Sequence, residues 1–131
     1  MQIAREPNSS VTVRRVEPGE VRIGDRTIRQ DVVITPDREI LDWPSGDVAQ
    51  LEEDDFASLL ALEPEVIVLG TGWASVVPPR ELVFAMARRG IGFEAMTTPA
   101  ACRTFNILVQ EERRAAAVLL LQEPVSRAPR R

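Results

Sequence analysis

The chain has 131 residues, a formal net charge of -4, and 44% hydrophobic against 27% charged residues. This is the composition of one globular domain, which at such a length removes roughly two-thirds of its unfolded surface from water, and the acidity works against non-specific binding to nucleic acid phosphates. All 16 basic residues are arginine, and histidine, lysine and tyrosine are absent, so Ser-His-Asp triads, imidazole metal sites, Schiff bases and phosphate-gripping P-loop lysines are excluded.

Exclusive use of arginine points to a GC-rich coding genome, hence a bacterial source. Cys102 stands alone, so no intrachain disulfide forms and no oxidising compartment is indicated. The first residues lack the apolar stretch of a signal peptide. The apolar run Ala115 to Leu121 is too short to cross a bilayer. A cytoplasmic protein with no membrane insertion, no nucleic-acid partner and no cofactor is the expectation.

Residues 1–10, with Pro7-Asn8-Ser9-Ser10, read as a loose tail. Val11 to Val16 alternates as a strand, Glu17-Pro18-Gly19-Glu20 turns, and Val21-Arg22-Ile23 follows as a short strand. After a turn at Gly24-Asp25-Arg26, Ile28 to Thr35 reads as one strand centred on Val32, Val33 and Ile34. Pro36-Asp37-Arg38 then leads into Glu39 to Trp43. Connections this short predict an antiparallel β-meander.

The remainder has a different character. Glu52-Glu53-Asp54-Asp55 opens a helix carrying Phe56, Leu59 and Leu60, its acids complementing the positive end of the helix dipole, and Pro64 ends it. Val66 to Leu69 is a continuously apolar strand of the doubly covered kind, broken by Gly70-Thr71-Gly72. Pro78-Pro79 starts a helix through Arg89, with Leu82, Val83 and Met86 inward and Gly90 as C-cap. Ile91 to Met96 is the next strand. Thr98 is the expected N-cap of a third helix running to about Arg113, with Pro99 at its first position, and Ala115 to Leu121 is the last strand. Residues 123–131 form an Arg- and Pro-bearing tail. The reading is a mixed α/β fold in one domain over 11–122: an N-terminal β-meander joined to a strand-helix-strand-helix-strand half, with right-handed crossovers where the strands are parallel.

Ligands of open α/β sheets bind beyond the carboxyl ends of parallel strands. Two such ends are Gly70-Thr71-Gly72 and Thr97-Thr98, with the third helix directing its first N–H groups and Arg103 toward the same cleft. Trp73 suits partner recognition there, and Asn106 lies further along the same helix. Against this stands the reading of Gly-Thr-Gly as a mere exit turn. A dinucleotide fingerprint is rejected, because Ser75 occupies the third glycine position and Pro78-Pro79 delays the helix. Cys102 sits where the dipole and Arg103 would lower its pKa, yet Cys102, Phe105 and Val109 share one helical face, which favours a core thiol. The acids at Asp31, Asp37, Glu39, Asp42 and Asp47 lack EF-hand spacing, so no metal is expected. Trp43-Pro44 is a further aromatic feature of interest.

Several stretches in order carry a family resemblance: Ile40-Leu41-Asp42-Trp43-Pro44, Val68-Leu69-Gly70-Thr71-Gly72, Arg89-Gly90-Ile91, and Thr98-Pro99-Ala100-Ala101-Cys102-Arg103-Thr104-Phe105-Asn106. From Thr35 to Leu121 the chain resembles the domain-of-unknown-function family named for the adipogenesis-associated Mth938-domain-containing protein, which includes a mitochondrial assembly factor for respiratory complex I. The resemblance implies a compact Mth938-like α/β fold, no established enzymatic activity, and for one branch a scaffolding role. Thr97, Trp73-Ala74-Ser75 and Phe105 depart from relatives that carry Asp, a basic residue and Tyr there, which argues against a shared polar site.

The combined reading is a non-catalytic interaction or assembly domain with protein partners, linked to respiratory complex assembly. Its contact residues would be Gly70, Thr71, Gly72, Trp73, Thr98, Cys102, Arg103 and Asn106. The alternative is a binder of, or enzyme acting on, a small anionic metabolite at the same strand ends.

Overall fold

A computed structural model describes residues 12–37, 40–43 and 47–122. The expected tails at 1–10 and 123–131, and Pro44, lie outside the described residues. Among the described residues, eight strands fall into two sheets. β1 (Val13–Glu17), β2 (Glu20–Ile23) and β3 (Arg26–Ile28) form an antiparallel meander. β4 (Val32–Ile34), β5 (Ile40–Asp42), β6 (Val66–Gly70), β7 (Gly92–Met96) and β8 (Ala115–Leu119) form a mixed sheet in the order β5-β4-β8-β6-β7. The helices are α1 (Ala57–Leu60), α2 (Arg80–Arg88) and α3 (Thr98–Gln110).

The single strand expected over Ile28 to Thr35 is corrected: it is β3 and β4, which belong to different sheets. The polar interval Arg29-Gln30-Asp31 separates them, and the Asp31 carboxylate accepts a hydrogen bond from the Leu121 N–H at 2.8 Å. That bond turns the chain away from the meander and delivers β4 to the edge of β8, where Val32, Val33 and Ile34 pair antiparallel with Leu119, Val118 and Ala117.

β6 runs parallel to both neighbours, β7 and β8. Alternation with a period of two distributes the core to both faces of the sheet. Val32, Ile34, Val68, Ala115, Ala117 and Leu119 face α3 and the meander. Val33, Ile67, Leu69, Ala116, Val118 and Leu120 face α1 and α2. The two crossover helices thus lie on opposite faces, as crossovers of one hand that travel in opposite directions along a sheet must. Three alanines at the start of β8 keep the central strand thin. Large side chains supplied by the helices fill the layers above and below it: Phe105 on one face, and Phe56, Leu59, Leu82 and Met86 on the other. Each fully buried residue of this kind contributes roughly 1.5–3 kcal/mol of transfer free energy.

The acidic segment begins as a 3₁₀ turn at Glu53–Phe56 and continues into α1. Glu52 and Asp55 form a reciprocal capping box, with the Glu52 N–H donating to Asp55 Oδ2 at 2.8 Å. Val83, expected on the inner face of α2, is exposed, and Ala85 is buried in its stead. The inward stripe therefore runs through Leu82, Ala85 and Met86, positions i, i+3 and i+4. No helix among the described residues is long and apolar enough to cross a membrane.

Candidate functional site

β6 and β7 end side by side, so the loops that follow them meet at one crest. The expected neighbourhood of Gly70-Thr71-Gly72 and Thr97-Thr98 is real, and it is closed. The Thr71 N–H donates to the Met96 carbonyl at 2.8 Å, and the Thr98 N–H donates to the Gly72 carbonyl at 2.7 Å. The Thr98 hydroxyl accepts from the Gly72 N–H at 2.8 Å and donates to the Leu120 carbonyl at 2.6 Å. With 0% exposure, this side chain joins the ends of three strands.

Sterics make the glycines obligatory. A Cβ on Gly70 would lie 2.9 Å from the Thr98 Cα and 3.1 Å from the Ala101 Cβ, so α3 can approach the strand end only over a bare backbone. Gly72 has φ +97 and would meet the Gln122 carbonyl at 3.0 Å. Thr71 is buried and folds the following loop on itself: its hydroxyl donates to the Ala74 carbonyl at 2.7 Å and accepts from the Val76 N–H at 3.3 Å.

The N-cap of α3 is Thr97, a correction by one residue from Thr98. Its side chain accepts from the Ala100 N–H at 3.4 Å. Pro99 prefers the first helical position, but the inward demand on the Thr98 hydroxyl shifts the helix start. The Thr98, Ala100 and Ala101 N–H groups are all bonded within the protein, and Pro99 has none. The first turn of α3 therefore directs no free N–H outward.

The other candidates divide by exposure. Cys102 is buried on the inner face of α3, and burial pushes its thiol up to about 12 while the Arg103 charge pulls the other way. This is opposite to the lowering that a helix start beside an arginine would give, and it leaves no thiolate at neutral pH. Asn106 is half-buried and clamps β1 with two bonds of 2.9 Å: its Oδ1 accepts from the Val13 N–H and its Nδ2 donates to the Val13 carbonyl. Trp73 is half-buried and Arg103 is exposed. These two carry the chemistry of the crest to the surface.

Sequence reasoning missed that the crest and α2 also carry exposed apolar groups. Val77 is 83% exposed and Phe84 53%. The periodicity of α2 contained the signal for Phe84, because Leu82, Ala85 and Met86 define a stripe that excludes it. No signal of periodicity reaches Val77, which lies in a loop. Among the described residues no group of three or more acids or thiols could hold a metal ion.

The family model described as "Protein of unknown function (DUF498/DUF598)" matches residues 13–120. A Danio rerio protein named NADH dehydrogenase (ubiquinone) 1 alpha subcomplex assembly factor 3 is 32% identical over 118 residues, covering 88% of this chain and 67% of its own length. Mammalian proteins of the same name are matched over about half their length. A structure from Xanthomonas campestris superposes with a TM-score of 0.80 at 32% identity, covering 100% of both chains. A Mth938-like domain from Bordetella pertussis gives 0.72 at 25% identity, covering 100% of this chain and 99% of that one. The chain belongs to the DUF498/DUF598 family and has the Mth938-like fold.

Proposed function

Given membership in that family, we propose that the chain is a non-catalytic, cytoplasmic interaction domain that serves assembly of a respiratory membrane complex. Partner contact is made at the crest, through Trp73 and Arg103. The observation that carries this reading is the similarity, over 88% of the chain, to a relative named as a complex I assembly factor.

The crest has the build of a contact surface. Gly70, Thr71, Gly72 and Thr98 supply its shape from beneath, Cys102 and Asn106 hold α3 against the sheet and the meander, and Trp73 and Arg103 present an indole and a guanidinium. Tryptophan and arginine are the residue types that most often dominate binding energy at interfaces. A preformed crest loses little conformational entropy on association. The competing reading, a binder of a small anionic metabolite, has Arg103 in its favour. It lacks the free first-turn N–H groups that make a helix start an anion site.

The test is affinity purification of the tagged full chain from its own host in mild detergent, followed by mass spectrometry, in parallel with a Trp73→Ala/Arg103→Glu variant. Wild type is expected to enrich a defined set of respiratory-complex subunits, and the variant to lose them with an unchanged Tm. A preparation free of such subunits, or equal enrichment by the variant, contradicts the proposal.

A further inference from the structure

Two arginines face each other across the outer ladder of the meander. In the β1–β2 pairing Arg15 stands directly opposite Arg22, an arrangement in which like charges repel and lower the stability of a sheet. A β-bulge between Val13 and Arg15 brings Arg14 to the same place, because two residues of β1 then oppose the single residue Arg22. The bulge also decides which way Arg15 points. Strict alternation from buried Val13 would turn Arg15 inward and Val16 outward. With the extra residue, Val16 pairs with buried Val21 and packs against the core, and Arg15 joins Arg22 on the exposed face.

Arg14, Arg15 and Arg22 line one open hollow of about 370 Å³ together with Gly24 and Asp25. The Gly24 N–H donates to the Thr12 carbonyl at 3.2 Å, which ties the turn after β2 to the residue before β1. All three arginines are exposed, and none of their side chains has a hydrogen bond or ion pair among the described residues. Arg29 of the same region differs, since its Nε lies 3.4 Å from Glu20 Oε1. Three guanidiniums against the single carboxylate of Asp25 leave the hollow positive in a chain whose net charge is -4. Guanidiniums bind phosphate oxygens through paired N–H donors in a fixed fork. The surroundings narrow the anion further. No apolar or aromatic side chain lines the hollow, so the charged group itself is what the site grips. Two residues along the ladder the same face carries Glu17 opposite Glu20, which would repel a long polyanion or an anionic bilayer laid flat across the sheet.

We propose that Arg14, Arg15 and Arg22 form a binding site for a compact phosphate group, a phosphate monoester or diphosphate carried by a small soluble molecule. The bulge supplies the third guanidinium, and the bound anion neutralises the repulsion that the free protein sustains between Arg15 and Arg22. The site lies on the meander face turned away from the core and shares no residue with the crest, so it stands independently of the partner reading above. Contact through the arginine side chains leaves the ladder between β1 and β2 as it is.

The test titrates inorganic pyrophosphate into the full chain in phosphate-free buffer at about 0.15 M sodium chloride. Binding is followed by calorimetry and by the arginine Nε–H resonances of ¹⁵N–¹H spectra. Saturable binding that shifts the Arg15 and Arg22 side-chain resonances is expected, and sodium chloride raised to the same ionic strength should not reproduce it. Arg15→Gln is expected to lower affinity about tenfold, through loss of one charged hydrogen-bonding partner. Arg22→Gln should do the same and, by relieving the cross-strand repulsion, keep or raise the Tm of the unliganded protein. That combination separates a ligand site from a structural role. Vesicles of phosphatidylcholine with phosphatidic acid are expected to bind no better than phosphatidylcholine alone. The proposal is overturned by an absence of saturable pyrophosphate binding, by an equal response to sodium chloride, or by unchanged affinity in both variants. A lower Tm in unliganded Arg22→Gln, or binding to the acidic vesicles without binding to pyrophosphate, overturns it as well.

Discussion

On one face of the central sheet, α3 and the β1–β3 meander are tied down by directed hydrogen bonds. Asn106 clamps Val13, Thr98 bridges Gly72 and Leu120, and the Gly19 N–H donates to the Leu121 carbonyl at 2.7 Å. On the other face, α1 and α2 rest on apolar contact, with an exposed ion pair between Arg89 and Glu53 at the rim. That second face also carries exposed Phe84 and a buried Trp43 indole N–H with no hydrogen-bond partner among the described residues. The contrast separates a face held by directed hydrogen bonds from one held by apolar packing. Thr98 and Asn106 on the α3 face are bonded within the chain, whereas the buried Trp43 indole N–H on the other face has no partner among the described residues.

The sharpest way to break that contrast is at the crest, where both faces depend on one close approach. Gly70→Val places carbon against the Thr98 backbone and is expected to lower unfolding free energy by about 3 kcal/mol, combining overpacking with loss of buried bonds. Urea denaturation measures it. Asn106→Leu removes both bonds to Val13 and is expected to cost about 2 kcal/mol. Amide exchange should then accelerate in β1–β3 while β6 stays protected, because the two Val13 bonds tie β1 to α3.

Cys102 tests the burial of the α3 face by pH. Its thiol is raised from 9.0 to about 12 in the folded protein, so the unfolded chain releases its proton first as pH rises. The contribution of this group is complete below pH 9 and is lost as pH rises toward 12. Between pH 8 and pH 10 wild type should lose about 1 kcal/mol more stability than Cys102→Ala. The native thiol should also resist a disulfide reagent at pH 8. Smallest of all, Arg89→Ala on the second face removes a half-exposed ion pair and is expected to cost under about 1 kcal/mol.

Much of this architecture was legible in the sequence, because period-two alternation and helix punctuation report burial directly. The apolar runs Val66 to Leu69 and Ala115 to Leu121 announced central strands, and the structure buries both between helices on either side. The two crest loops face one another if their strands are neighbours, and β6 and β7 do pair in parallel. What local pattern could not convey was closure. Thr98 directly before Pro99 reads as the cap, and only the distant Leu120 carbonyl turns Thr98 inward and leaves the cap to Thr97. Likewise Ile28 to Thr35 reads as one strand until the Leu121 N–H claims Asp31. The sequence offers Asn106 as a contact residue, since nothing near it shows that β1 lies within reach.

The central claim is that partners engage the crest through Trp73 and Arg103 and leave the β1–β3 meander alone. Hydrogen–deuterium exchange on the affinity-purified complex, compared with the free chain, tests this most directly. Protection is expected over residues 73–77 and 98–104, with exchange in β1–β3 unchanged. Protection confined to β1–β3, with the crest as open as in the free protein, would contradict the account.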